Sequence, residues 1–134
     1  MLLSPKKRVF QKSHKGPIGG ISCTSHINFG KYALVAETSG RITARQIEAA
    51  RKTINRRIKK IGKLWIRIFP DLPVSSKPNE VRMGKGKGSV DYWVCKVKAG
   101  RVLFELSDVA FDIARASLLM GSNKLPITTK FITK

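Results

Sequence analysis

The sequence predicts an α+β fold, a two-layer sandwich in which two helices cover a mostly antiparallel sheet, with a basic N-terminal arm and a long Gly-rich loop attached. Three observations point to it. Two segments repeat apolar residues at helical spacing, five short runs rich in β-branched and aromatic residues read as strands, and 42% of the 134 residues are hydrophobic, enough for a core.

Residues 1–28 mix Lys, Gly, Ser, Pro and His without periodicity, and Pro5, Gly16-Pro17 and Gly19-Gly20 break any helix, so this part is expected to be an extended arm ahead of a single domain at 29–134. Phe29 to Thr38 reads as a strand ended by the turn signal Ser39-Gly40. Thr43 followed three residues later by Gln46 is a capping box for the first helix. Ile47, Ala50, Ile54, Ile58 and Ile61 then recur along one face, and Gly62 is the expected stop. On the opposite face Arg45, Lys52, Arg56, Lys59 and Lys63 fall together as a basic ridge.

Leu64 to Phe69 is the next strand, closed by Pro70. Residues 70–91 read as a long polar connection, a length that is usually functional in a compact domain. Tyr92–Lys98 and Arg101–Ser107 are predicted to form a hairpin across Ala99-Gly100. Ser107 or Asp108 is the expected cap of a second helix whose buried stripe would be Val109, Ile113, Ala116 and Met120. Pro126 to Thr133 supplies the last strand.

Charge narrows the function. The chain carries 27 Lys and Arg against 8 Asp and Glu, a formal +19, of which residues 1–90 hold +16 and residues 91–134 only +3. Such an excess opposes compaction unless a polyanion lies nearby. Its distribution in blocks at 5–15, 41–67 and 77–87 points to several surfaces meeting one large anion, with the remainder mostly completing the core. Glu48 is the only acid between Arg41 and Arg67, so that stretch lacks the Glu–Lys interleaving of an ordinary solvated helix.

Other classes recede. No apolar run is long enough to span a bilayer, and the opening Met1 to Arg8 has no apolar core of the kind a secretory signal needs. Cys23 and Cys95 lie far apart, as in a reducing compartment, and Cys23-x2-His26 lacks the second pair that zinc requires. No acids are paired for acid–base work, so no enzyme, metal or cofactor is expected. Trp65, Trp93, Phe69 and Phe104 are expected in the core.

The polyanion-binding set expected from the residues is Lys6, Lys7, Arg8, Lys12, His14 and Lys15 on the arm, with Arg41, Arg45, Arg51, Lys52, Arg56, Lys59, Lys63 and Arg67 around the first helix. Arg82-Met83-Gly84-Lys85-Gly86-Lys87-Gly88 adds a loop whose glycines let backbone approach an anion; its spacing is not that of a Walker loop. Arm and loop are expected to order on binding nucleic acid. A nonspecific DNA-packaging protein would share the charge, and a membrane-surface protein is disfavoured because the isoleucine stripe reads as core.

Three motifs occur in order: Thr43-Ala44-Arg45-Gln46-Ile47-Glu48-Ala49-Ala50-Arg51, Gly62-Lys63-Leu64-Trp65-Ile66-Arg67-Ile68-Phe69-Pro70-Asp71, and Lys77-Pro78 with Val81 to Gly88. With them the chain resembles the bacterial-type large-subunit ribosomal protein sixteen, a universal family, from Pro5 to Ile127. The resemblance implies an α+β domain packed on large-subunit ribosomal RNA near the A site, a late role in subunit assembly, and a share in positioning A-site tRNA. In relatives the glycine loop reaches toward the peptidyl transferase region, and in some the arginine matching Arg82 is hydroxylated. It also implies neighbouring ribosomal proteins as partners, with no membrane and no homo-oligomer. Residues 16–28 depart from the family's more basic pattern, and Asp108 to Phe111 replace a more acidic, glycine-containing turn. Asp71-Leu72-Pro73 and Asn79-Glu80-Val81 resemble alphaproteobacterial and mitochondrial members, so a mitochondrial ribosome is the favoured address, with the bacterial cytoplasm or a plastid as alternatives.

Overall fold

The computed structural model describes residues 4–23, 26–59 and 61–134; residues 1–3, at the start of the opening segment, residues 24 and 25 within the expected arm, and residue 60 lie outside the described set. The elements run β1 (Tyr32–Ala36), β2 (Gly40–Thr43), α1 (Ala44–Ile58), β3 (Lys63–Ile66), β4 (Leu72–Ser76), β5 (Ser89–Val97), β6 (Val102–Ser107), α2 (Phe111–Ser122) and β7 (Thr129–Thr133). The α+β class holds, but the strands form two sheets, ordered β3-β6-β1-β7 and β2-β5-β4, with every strand pairing antiparallel.

That division corrects the expected hairpin. β5 and β6 lie in different sheets and do not pair. The backbone around Gly100 bonds to the end of β1 instead: Gly100 N donates to Ala36 O at 2.7 Å, and Ala36 N to Arg101 O at 2.9 Å. These bonds turn the chain out of one sheet and into the other. The expected loop at 70–91 is likewise shorter, because Leu72–Ser76 pairs with the start of β5, leaving residues 77–88 as the connection.

Helix α1 forms as its sequence dictates. Thr43 Oγ1 accepts from Gln46 N at 3.2 Å, and Gln46 Oε1 accepts from Thr43 N at 2.9 Å. Ile47, Ala50, Ile54 and Ile58 are buried. The helix stops one turn earlier than expected, at Lys59 in the left-handed conformation (φ 49°), so Ile61 is 74% exposed and Lys63 belongs to β3 rather than the ridge.

Helix α2 differs more. Its cap is Ala110, with no side-chain bond; Asp108 has φ 61° and accepts from Ser107 Oγ at 2.8 Å. Its buried face is Ala114, Ser117, Leu118 and Gly121, and Ile113 and Met120 stand at the surface. The reason is the closeness of α1: a Cβ on Gly121 would lie 2.7 Å from the side chain of Ile54. Close helix contact selects small residues, which an apolar stripe does not reveal. Phe104 lies in the core as expected and Cys95 is buried, whereas Phe69 is exposed and Trp65 and Trp93 are half-buried.

The central strand β6 carries a fully buried carboxylate. Glu105 is 0% exposed, and an ion unpaired there would be costly. Its oxygens accept from the N–H groups of Asn28 (3.3 Å), Phe29 (2.6 Å) and Gly30 (2.9 Å), and from the Arg67 guanidinium. Burial pushes its carboxyl up, but those four donors outweigh it and hold it below the ordinary value of about 4.5. The arm is thereby fastened to the sheet, and Phe29 stacks on Trp65 with centroids 6.0 Å apart and on Arg67 at 5.0 Å.

Glu105→Ala leaves three N–H groups, that of Gly30 buried and those of Asn28 and Phe29 partly so, and one guanidinium without an acceptor, and should cost about 3–5 kcal/mol in urea unfolding. Because the folded carboxyl titrates below the unfolded one, its contribution is complete above pH 4.5 and fades as the pH falls through the depressed folded value. Acid unfolding of Glu105→Gln should therefore lack that part of the pH dependence.

Candidate nucleic-acid interface

The cations of the arm, α1 and the glycine loop face outward. Lys6, Lys7, Arg8, Lys12, His14 and Lys15 are exposed on a segment without strand or helix apart from one bridge, Ile21 to Ala99. Arg8 holds its guanidinium 4.8 Å over the Trp93 ring. Arg45, Lys52, Arg56 and Lys59 are exposed on or just beyond α1. Among the described residues only two ion pairs form, Arg51–Glu48 and Arg67–Glu105, so the ridge cations have no carboxylate partner.

Those two pairs divide the expected set. Arg51 meets Glu48 in a bidentate contact at 2.9 and 2.6 Å, which lowers the Glu48 carboxyl and raises the arginine. Arg67 is committed to Glu105. Lys63 lies on the edge strand β3, its Nζ 5.4 Å over Trp65. Arg41 remains exposed while its Nη2 donates to Gly16 O at 2.7 Å.

The loop and the arm come together, which sequence separation conceals. Lys12 Nζ donates to Lys87 O at 2.8 Å, and Lys87 Nζ returns a bond to Ser13 O at 2.7 Å. Gly84, Lys85 and Gly86 all take positive φ (91°, 55° and 93°), so this turn suits glycine. Lys77 Nζ bonds Gly84 O across its base, and Met83 at the tip is 100% exposed. Arg82 to Lys87 are all exposed, and Gly88 is partly covered beside β5.

Three further cations escaped the sequence reading. Lys96, Lys98 and Arg101, with Arg8 and Arg67, line a cleft of about 920 Å³ between the arm and the two sheets. The available signal was Lys96-x-Lys98, two lysines that alternation puts on one face of a strand. Cys95 also lines the cleft, and burial pushes its thiol up. No group of three or more His, Cys, Asp or Glu among the described residues could hold a metal ion. No helix among them is long and apolar enough to cross a membrane.

The sequence model of the family described as Ribosomal protein L16p/L10e matches residues 5–132, nearly the whole chain. This chain belongs to the L16p/L10e family of ribosomal proteins. It is also 57% identical over 134 residues to the large ribosomal subunit protein uL16 of Bartonella henselae, covering 99% of this chain and 98% of that one.

Breaking the arm–loop contact should loosen the glycine turn without unfolding the domain, since exposed hydrogen bonds contribute only about 0.5–1.5 kcal/mol each. Lys12→Ala is expected to speed amide exchange in residues 84–88 while leaving α1 protected, as read by hydrogen–deuterium exchange.

Proposed function

We propose that the chain is a structural constituent of the large ribosomal subunit. In this reading it binds large-subunit ribosomal RNA near the A site and the peptidyl transferase region, helps to position aminoacyl-tRNA, and supports late subunit assembly. The observation that carries it is the pairing of family membership with cations on the joined arm and loop and on the helix ridge that have no carboxylate partner among the described residues. Arm and ridge, with Lys6, Lys7, Arg8, Lys12, His14, Lys15, Arg41, Arg45, Lys52, Arg56 and Lys59, lie along phosphate backbone and confer affinity with little sequence preference. Arg51, Lys63 and Arg67 support that surface, Arg51 and Arg67 by donating to the carboxylates of Glu48 and Glu105. The loop 82–88 reaches toward tRNA, and its fully exposed Met83 leads. Neighbouring ribosomal proteins pack around the domain. Residues 1–28 act as the arm and 29–134 as the RNA-binding domain. A DNA-packaging role is the weaker reading, because the family is ribosomal.

The address in the cell follows the same family lines. The Asp71-Leu72-Pro73 and Asn79-Glu80-Val81 segments resemble alphaproteobacterial and mitochondrial members alike, the abundance of Ile and Lys favours a mitochondrial ribosome, and the identity to a Bartonella chain supports the bacterial alternative.

The chain should co-sediment with large subunits after a high-salt wash; recovery only in the free soluble pool would sink the reading. If roughly 6–10 phosphates are contacted, affinity for ribosomal RNA should fall about 10³–10⁵-fold between roughly 50 and 200 mM salt. Structured RNA should also outcompete duplex DNA in a filter-binding assay, and equal competition would favour DNA packaging.

A further inference from the structure

We propose that the cleft between the arm and the two sheets is a separate binding site for RNA phosphodiester backbone, with Lys96, Lys98 and Arg101 as its anion-binding groups. This rests on the RNA-binding reading above but concerns residues outside the expected contact set, in the part of the chain that charge counting assigned to the core.

The first support is unsatisfied charge. The cleft gathers Arg8, Lys96, Lys98 and Arg101 with a single carboxylate, Asp71, in its wall. None of these four cations joins an ion pair among the described residues, while the fifth, Arg67, is neutralised by Glu105. Lys96 also lies directly opposite Arg41 in the β2–β5 register, where like charges disfavour the pairing of strands. An anion held from outside removes the repulsion.

The second support is the way the arm passes over the lysines. Gly16 and Gly20 both take left-handed φ (+57° and +76°), and a Cβ on them would lie 3.3 Å from Lys96 Nζ and 3.9 Å from Lys98 Nζ. At both glycines the arm backbone therefore passes close to an ammonium group. The arm is fastened on either side, by Arg41 Nη2 to Gly16 O and by Ser22 N to Ala99 O at 2.7 Å. Lys96 and Lys98 stand two residues apart along β5 and its end, about 6.6 Å along the strand, so a linear polyanion meets one cation after another. A compact anion would use one such position; a phosphodiester chain uses the row. Arg8, held over Trp93, extends the row from the arm side.

The test compares salt dependence of binding to a transcribed large-subunit ribosomal RNA domain for three full-length chains: wild type, Lys96→Gln/Lys98→Gln/Arg101→Gln, and the ridge variant Arg45→Gln/Lys52→Gln/Arg56→Gln. Loss of three phosphate contacts should flatten the slope of log K against log salt by about 2–3 in the cleft variant. Its melting temperature without RNA should stay the same or rise, because the Lys96→Gln change removes the repulsion with Arg41. An unchanged slope in the cleft variant, alongside a flattened one in the ridge variant, would overturn the cleft site alone. A lowered melting temperature would overturn it too, since the cations would then be serving the fold. Absence of RNA binding by the wild-type chain would overturn the function itself.

Discussion

A single buried carboxylate sets much of this structure. Glu105 stands fully buried in β6, between β1 and β3, and nothing apolar can satisfy it. It needs donors, and it takes them from two places distant in sequence: the three consecutive N–H groups of residues 28–30 and the guanidinium of Arg67. That requirement fastens the chain just before β1 to the strand that follows α1. It also brings Phe29 onto Trp65 and under Arg67, closing the edge of the four-stranded sheet. The arm's cations are held in place further along by other contacts, Arg41 to Gly16 O and the bonds between Lys12, Ser13 and Lys87.

Elsewhere the charge is left open. Two arginines meet carboxylates among the described residues, and the remaining cations on α1, the arm and the loop have no such partner. Exposed ion pairs contribute little to stability, so the fold loses little by omitting them. The cost appears as mutual repulsion, which a polyanionic neighbour relieves. The arm and loop share hydrogen bonds through Lys12 and Lys87, so two of the three basic blocks form a joined surface rather than independent tails.

Much of the local structure was legible in the sequence. The capping box at Thr43 and Gln46 and the stripe Ile47, Ala50, Ile54 and Ile58 appear as read, because both depend on contacts within a few residues. Five of the seven strands among the described residues were read, with ends displaced by a few residues; β2 falls where a turn and a helix cap are read, and β4 inside the expected loop, because both are short and take their order from pairing with β5. What failed involved a partner. Ile61 fits the helical period but lies past a left-handed Lys59, and α2 turns its small residues inward because α1 approaches too closely for Ile113 or Met120. The β5–β6 hairpin had suitable spacing, yet the bonds from Gly100 and Arg101 to Ala36 divert the chain to the other sheet. On the interface, the basic character of arm, ridge and loop was visible from composition, whereas the neutralisation of Arg51 and Arg67 and the gathering of Lys96, Lys98 and Arg101 were not.

The sequence by itself determined the fold class, the first helix and its polar face, the glycine turn, the excess of cations and the family, since each is written in composition or in short-range order. Only the tertiary structure decided how the strands divide into two sheets, which face of α2 is buried, which arginines are already neutralised, and where cations from distant segments converge. The physical reason is range: caps and periodicity act over a single turn of chain, while a buried charge, a close helix crossing and a shared cleft depend on residues tens of positions apart.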